Sequence, residues 1–319
     1  MRLKLVPRNT SWNFFLRSKL WIGISIILVV LSLISFFVQS LNFGIDFRGG
    51  TSIRTESSEP VNVAAYRNAL SSLDLGDITI SEVFDPSFED NQNVAMIRIQ
   101  AQPGQEAATS ILVENSLQKL REVKEDIKFV SVESVGPKVS GELIRTAIIA
   151  VVLAISAVLF YIWIRFEWQF AVGAISALIH DVILTIGVFS LLQIKFDLAI
   201  IAAILTIVGY SLNDTVVVFD RVRENLRKFK KRSIIEVMNL SINETMSRTV
   251  MTSVTTLLAL ISLFVLGGDV IRGFVFAMIW GVVVGTYSSI FIASAILLWT
   301  GVKRDWSRSN AEAGTQVPQ

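Results

Sequence analysis

The sequence predicts a polytopic α-helical membrane protein with six transmembrane helices. One α+β domain of the ferredoxin-like βαββαβ kind is expected between the first helix and the second. Three observations predict this. Hydrophobic residues make up 52% of the 319 and charged residues only 18%, below the roughly 25% of a soluble domain, and the mean hydropathy is +0.58. Six apolar runs reach the length of about 20 residues that a bilayer crossing needs. A single long polar stretch, residues 42–142, shows strand alternation and helical spacing in turn.

The runs cover residues 20–41, 143–164, 168–191, 197–219, 247–266 and 271–299. The first has no small-residue cleavage site before "LNFGIDFRGG" and reads as an uncleaved anchor. Orientation follows from short-loop charge. Arg2, Lys4, Arg8, Arg17 and Lys19 crowd residues 1–19, and Lys303, Arg304 and Arg308 lie in the tail, 300–319. Residues 220–246, between the fourth and fifth runs, carry Arg221, Arg223, Arg227, Lys228, Lys230, Lys231 and Arg232. Six crossings put all three basic segments on one side. Both termini are therefore expected in the cytoplasm and residues 42–142 on the opposite side of the membrane. Within the basic loop, "SIIE" reads as a capping box, Ser233 with Glu236. Ile234, Met238 and Ile242 share a face, so a short amphipathic helix on the membrane surface is expected there. The basic run before it suits anionic lipid, or serves only to set topology. No nucleic-acid module surrounds it, and no nucleic-acid partner is expected.

The polar stretch reads as strand ("GGTSIRTES"), helix ("NVAAYRNALSSL"), two strands ("ITISEVFD", "NVAMIRIQA"), helix ("EAATSILVENSLQKLREVK") and strand ("FVSVESVG"). Asp46, Asp74 and Asp85 are scattered, with no histidine or cysteine beside them, and read as a solvated acidic surface. The chain has no cysteine and one histidine, His180. That excludes a thiolate site and a metal site built on several histidines. HExxH and GxSxG are also missing, so neither an enzyme nor a cofactor is expected.

The chemistry sits inside the apolar runs. His180 and Asp181 fall near the middle of the third, and Asn213 and Asp214 inside the fourth. A carboxylate at the centre of a bilayer costs roughly 2.5–3.5 kcal/mol on insertion scales. Asp214 lies about 9 Å inside the boundary expected at Asp220, too deep for its short side chain to reach water. Arg248 enters from the same side in the fifth run, on one helical face with Thr252, Thr255 and Thr256. An Asp214–Arg248 pair is therefore expected. Two readings compete: a static pair that fixes helix register, with His180, Asp181 and Asn213 as polar glue, or a proton relay through these residues. Gly281, Gly285 and Ser289 in the last run make a small-residue row suited to close helix packing.

Three motifs narrow the reading. "FGIDFRGG" follows the first run, "VGPKVSGEL" enters the second, and "GYSLNDTVVVFDRVREN" ends the fourth, with "HD" at His180–Asp181. Together they resemble the SecD/SecF family of RND-type membrane proteins, with the fourth-span motif in its SecF form. The resemblance covers all but about the first and last dozen residues. It implies a half-RND arrangement paired with SecD, association with the SecYEG channel and with YajC and YidC, and action on translocating preproteins driven by the proton motive force. It places Asp214 at a membrane aspartate of the proton path and Arg248 at the arginine of the next span. It implies a bacterial inner membrane with residues 42–142 in the periplasm, and no cofactor. Gly44, Asp46, Gly49 and Gly50, and Gly136–Pro137, fall in the joint motifs. The glycines are expected to allow turns that other residues resist, and Gly136–Pro137 to stop a strand and start a helix.

Overall fold

The structure, a computed structural model, describes residues 10–302 apart from 74, 77, 87, 90 and 102–109. Arg2, Lys4, Arg8, Asp74, Lys303, Arg304 and Arg308 lie outside the described residues. The chain begins with helix α1 (Ser18–Gln39) and a short root made of β1 (Asn42–Phe43) and α2 (Ile45–Arg48). The sheet domain follows as β2 (Gly50–Ser57), α3 (Val63–Leu70), β3 (Ile78–Val83), β4 (Asn93–Gln100), α4 (Ser110–Val123) and β5 (Lys128–Val135). Then come α5 (Pro137–Arg165), α6 (Trp168–Leu192), β6 (Lys195–Phe196), α7 (Leu198–Lys228) and α8 (Ile234–Leu266). The last membrane helix is α9 (Gly268–Ser288), a π-helical turn (Ser289–Ala293) and α10 (Ser294–Trp299) in succession. Six helical stretches are long and apolar enough to cross a membrane.

The sheet runs β3-β4-β2-β5 with every neighbour antiparallel, the ferredoxin-like order. Strand alternation gives its two faces different surroundings. Ile53, Ile80, Ile97 and Ile99 point to one face and pack with Tyr66, Leu70 and Leu120 of the two helices. Arg54, Ser81, Met96, Arg98 and Glu133 point to the other, the roof of a cleft of about 710 Å³. Its floor is Lys195 and Asp197, between α6 and α7, and Asp269, Arg272 and Phe274 at the start of α9. Asp269 accepts the Phe84 N–H at 2.9 Å and also pairs with Arg272.

The root is tied to the bundle. β1 and β6 pair in parallel, Asn42 with Lys195 and Phe43 with Phe196. The Gly44 N–H donates to the Phe196 carbonyl at 2.8 Å. Gly49 (φ 74°) and Gly50 (φ 138°) hold the left-handed backbone expected of them. Gly44 does not. Its φ is −73°, and what excludes a side chain is closeness, with Lys195 Cε 2.8 Å from where a Cβ would stand. Gly136 is ordinary extended backbone with nothing within 4 Å of such a Cβ, so nothing there demands glycine. The proline after it opens α5, where a missing N–H costs nothing. Asp46 is structural, because its Oδ2 accepts the Leu198 N–H at 3.1 Å and caps α7.

Two expectations about residues 220–246 are corrected. α7 continues to Lys228, past the expected end at 219. The amphipathic helix after Ser233 is not separate, because it is the start of the 33-residue helix α8. "NLSINETMSR" holds no glycine or proline to stop it. Its apolar face does not lie on a membrane surface either. Val237, Met238 and Ile242 are buried against Val218, Phe219 and Val222 of α7. The capping box itself is present, with Ser233 and Glu236 bonded reciprocally.

The glycines at the root separate strain from coincidence. Gly50→Ala would drive a Cβ into the Ile99 carbonyl at a φ that side chains resist. It is expected to destabilise the protein by about 1–3 kcal/mol. Gly136→Ala is expected to change stability by less than about 0.5 kcal/mol. Thermal unfolding of the purified full chain in detergent, followed by circular dichroism, compares the two.

Candidate functional site: two carboxylates held by hydroxyls

α7 and α9 pack closely because small residues of one meet α7 at helical intervals. Gly281 lies against Ile207, and a Cβ on Gly285 would stand 3.1 Å from Ser211 Cβ. One turn further, Ser289 Oγ donates to Asp214 Oδ2 at 2.7 Å. The expected row Gly281, Gly285 and Ser289 is thus a packing seam whose last member reaches the carboxylate. Asp214 Oδ1 accepts from Thr249 Oγ1 of α8 at 2.6 Å. Asp214 is buried among α7, α8 and the π-helical turn, with one hydroxyl on each oxygen.

Asp181 of α6 is built the same way. Its Oδ2 accepts from Ser211 Oγ of α7 at 2.6 Å and from Ser288 Oγ of α9 at 2.7 Å. Its Oδ1 lies 3.0 Å from His180 Nδ1. The buried Nε2 of His180 has no hydrogen-bond partner among the described residues. The imidazole stacks at 6.1 Å from the Tyr287 ring. The Tyr287 hydroxyl donates to the Trp21 carbonyl of α1 and meets Ser25 Oγ, each at 2.9 Å. The two carboxylates are coupled through backbone. Ser288 and Ser289 are consecutive, one on Asp181 and one on Asp214, at the point where α9 passes into the π-helical turn. Ser211 and Asp214 are three apart on α7.

The sequence placed Asp214, Asp181 and His180 inside the bundle, and there they lie. It did not find their partners. Among the described residues no ion pair joins Asp214 to Arg248. Arg248 is exposed and lines a surface hollow with Asp220, Arg221, Glu224 and Glu244. Thr249, one position and about 100° further round α8, makes the contact. The face carrying Arg248, Thr252 and Thr255 is exposed, and Thr256 is half-buried. Asn213 is exposed as well, about 100° round α7 from Asp214. The missed donors are Ser211, Thr249, Ser288 and Ser289. The adjacent serines in an otherwise apolar run were the readable signal, since each needs an acceptor inside a membrane.

Fold and site together define a multi-pass membrane protein with a ferredoxin-like domain after its first span and a bundle that encloses hydroxyl-bound carboxylates. Residues 115–303 match the family described as protein export membrane protein SecD/SecF, C-terminal, and residues 34–61 match the SecD/SecF GG motif. Protein translocase subunit SecF of Cereibacter sphaeroides is 58% identical over 99% of this chain and 97% of its own. That of Rhodobacter capsulatus is 56% identical over 95% and 93%. A crystal structure of SecDF from Thermus thermophilus, described as a translocon-associated membrane protein, superposes with a TM-score of 0.80 at 34% identity. A SecDF structure in a super-membrane-facing form gives 0.69, also at 34% identity. They cover 95% and 99% of this chain, which spans only 40% and 42% of those SecDF chains. The chain belongs to the SecD/SecF family, on its SecF side.

The hydroxyl set can be separated from the nearby charge by substitution. Thr249→Val keeps the shape and leaves Asp214 Oδ1 without its donor. It is expected to lower stability by about 1–3 kcal/mol. Arg248→Gln is expected to cost less than about 0.5 kcal/mol, since its side chain is exposed. The unfolding midpoint in detergent ranks the two.

Proposed function

We propose that this chain is the SecF-type subunit of a SecDF accessory complex that uses the proton motive force to promote late stages of preprotein translocation. In this reading both termini are cytoplasmic and the sheet domain is periplasmic. The basic segment between α7 and α8 fits that orientation. The observation that carries the proposal is Asp214, a buried carboxylate whose described partners are the Thr249 and Ser289 hydroxyls. A hydroxyl donates to a carboxylate and, after rotating, accepts from a carboxylic acid. Either protonation state can therefore be satisfied without a counter-ion, which suits a site that takes up and releases a proton. Asp181 and His180 share the property, with His180 Nε2, which has no partner among the described residues, as a further acceptor or donor.

The exposed polar face of Asn213, Arg248, Thr252 and Thr255 supports a membrane partner. Thr252 and Thr255 donate back to carbonyls of α8, but an isolated bundle would leave the Asn213 amide and the Arg248 guanidinium without a protein surface over them, which is costly toward lipid. A second half of similar build, SecD, would cover them and complete the path. SecYEG, YajC, YidC and the preprotein belong to the same reading and rest on the family alone.

A structural role for Asp214 has its own support, because both of its oxygens are already bonded across three elements. Asp214→Asn distinguishes the two. The relay predicts normal insertion and normal SecD pairing, with export falling to the level seen when the proton gradient is collapsed. If the mutant's export still responds fully to the gradient, the relay is wrong. If SecD pairing is lost instead, the carboxylate is structural. Export of a reporter preprotein into inverted vesicles, with and without an uncoupler, gives the readout.

A further inference from the structure

Two cavities meet at the root of the sheet domain and share Phe43 and Arg48. The first is a groove of about 450 Å³ between α5, α6 and α7. Its walls include Ile148 and Val151 of α5, Val182 and Ile186 of α6, and Ile204 of α7, and among the described residues its only polar lining side chain is Arg48. The groove opens sideways at the rim of α5, where Ile148 and Val152 are 58% and 56% exposed. α5 is the least anchored span beside α1, with 6% of its apolar window buried. This seam lies within the apolar spans, near the ends that meet the sheet domain.

The second cavity, about 150 Å³, is its chemical opposite. Arg48, Arg98 and Lys195 line it with Asn42, Thr79 and Gln100, and among the described residues no carboxylate does. Carboxylates act on these cations from outside the pocket lining, Asp197 on Arg98 and Asp197, Asp46 and Glu133 on Lys195, but burial outweighs them. Arg98 Nε is buried without a hydrogen-bond partner among the described residues, and its Nη2 meets only Met96 Sδ, at 3.0 Å. Lys195 Nζ is 3.8 Å from Asp197, at the limit of an ion pair. Burial pushes both Arg98 and Lys195 below their ordinary pKa, and the Arg98 charge pushes Lys195 further. An anion in this pocket would relieve the desolvated guanidinium and the repulsion together.

We propose that the two cavities form one binding site for an anionic phospholipid of the leaflet on the sheet-domain side. Its phosphate sits among Arg48, Arg98 and Lys195, and an acyl chain fills the groove. The shared lining residues Phe43 and Arg48 single out a lipid. They set an otherwise apolar groove beside a cationic pocket suited to a headgroup. The lipid would fill the seam beside α5 and bridge it to the root of the sheet domain.

The test uses the full chain extracted from vesicles of equal phosphatidylglycerol and phosphatidylcholine, with retained lipid counted by native mass spectrometry. Phosphatidylglycerol is expected to be retained over phosphatidylcholine. The double variant Arg48→Gln, Arg98→Gln is expected to lose about tenfold of that preference, the scale of one charge-assisted contact. Val151→Trp, which fills the groove, is expected to release both lipids. A photoreactive amino acid in place of Val151 should give a lipid adduct in cells, whether or not Val151→Trp folds. An unchanged preference in the double variant overturns the headgroup site. Glycerol phosphate binding as tightly as the whole lipid overturns the acyl groove. A protein adduct at position 151 overturns the proposal by showing that a partner helix fills the seam.

Discussion

The bundle is organised around removing two carboxylates from water. An ionised group in hydrocarbon is tolerable only when hydrogen bonds replace its hydration, and the neighbouring helices supply them as hydroxyls. Thr249 comes from α8, Ser211 from α7, and Ser288 and Ser289 from the last helix. For these short side chains to reach, backbones must approach closely. Gly281 and Gly285 allow that against α7. The π-helical turn then sets the phase. Consecutive serines at its start address different carboxylates, one on α6 and one on α7. Glycine row, π-helical turn and serine pair are therefore parts of one solution.

The sheet domain follows a separate logic that meets the first at the root. One sheet face has an ordinary apolar core, while the other roofs a polar cleft over the bundle. Such a face is poorly suited to permanent burial. It carries Arg54 and Arg98, whose Nε atoms are buried without described partners, and Glu133. Firm attachment is instead made at the short parallel pair of β1 with β6 and at the Asp46 cap on α7.

Much of this was legible in the sequence, for physical reasons that differ by level. Hydropathy reveals crossings because lipid imposes a length and a composition on them. The βαββαβ order was readable because periods of 2 and 3.6 alternate between turn residues. Asp214 and Asp181 stood out because a carboxylate in a membrane is costly. Their partners were hidden because choosing between Arg248 and Thr249 requires the rotation of α8 to within one residue, which spacing within a single helix does not supply. Charge complementarity favoured the arginine, but packing turned it outward and brought the hydroxyl in. The end of α7 and the start of α8 were misplaced for a related reason. Hydropathy marks where apolar residues stop, whereas a helix stops only at a breaker or cap, and none occurs before Lys228. Gly44 shows the same limit, since its closeness to Lys195 belongs to the tertiary structure alone.

The Asp46 cap has a mechanical consequence. Asp46 belongs to the root of the sheet domain, yet its carboxylate grips Leu198, the first residue of α7. Asp214 lies sixteen positions along the same helix, 214 minus 198, or about 24 Å at the α-helical rise. No described break interrupts α7 between the two points. Sheet-domain root and buried carboxylate are two stations on one stiff rod. A displacement of the root along that axis has an unbroken helix through which to reach the carboxylate, for as long as the Asp46 cap holds.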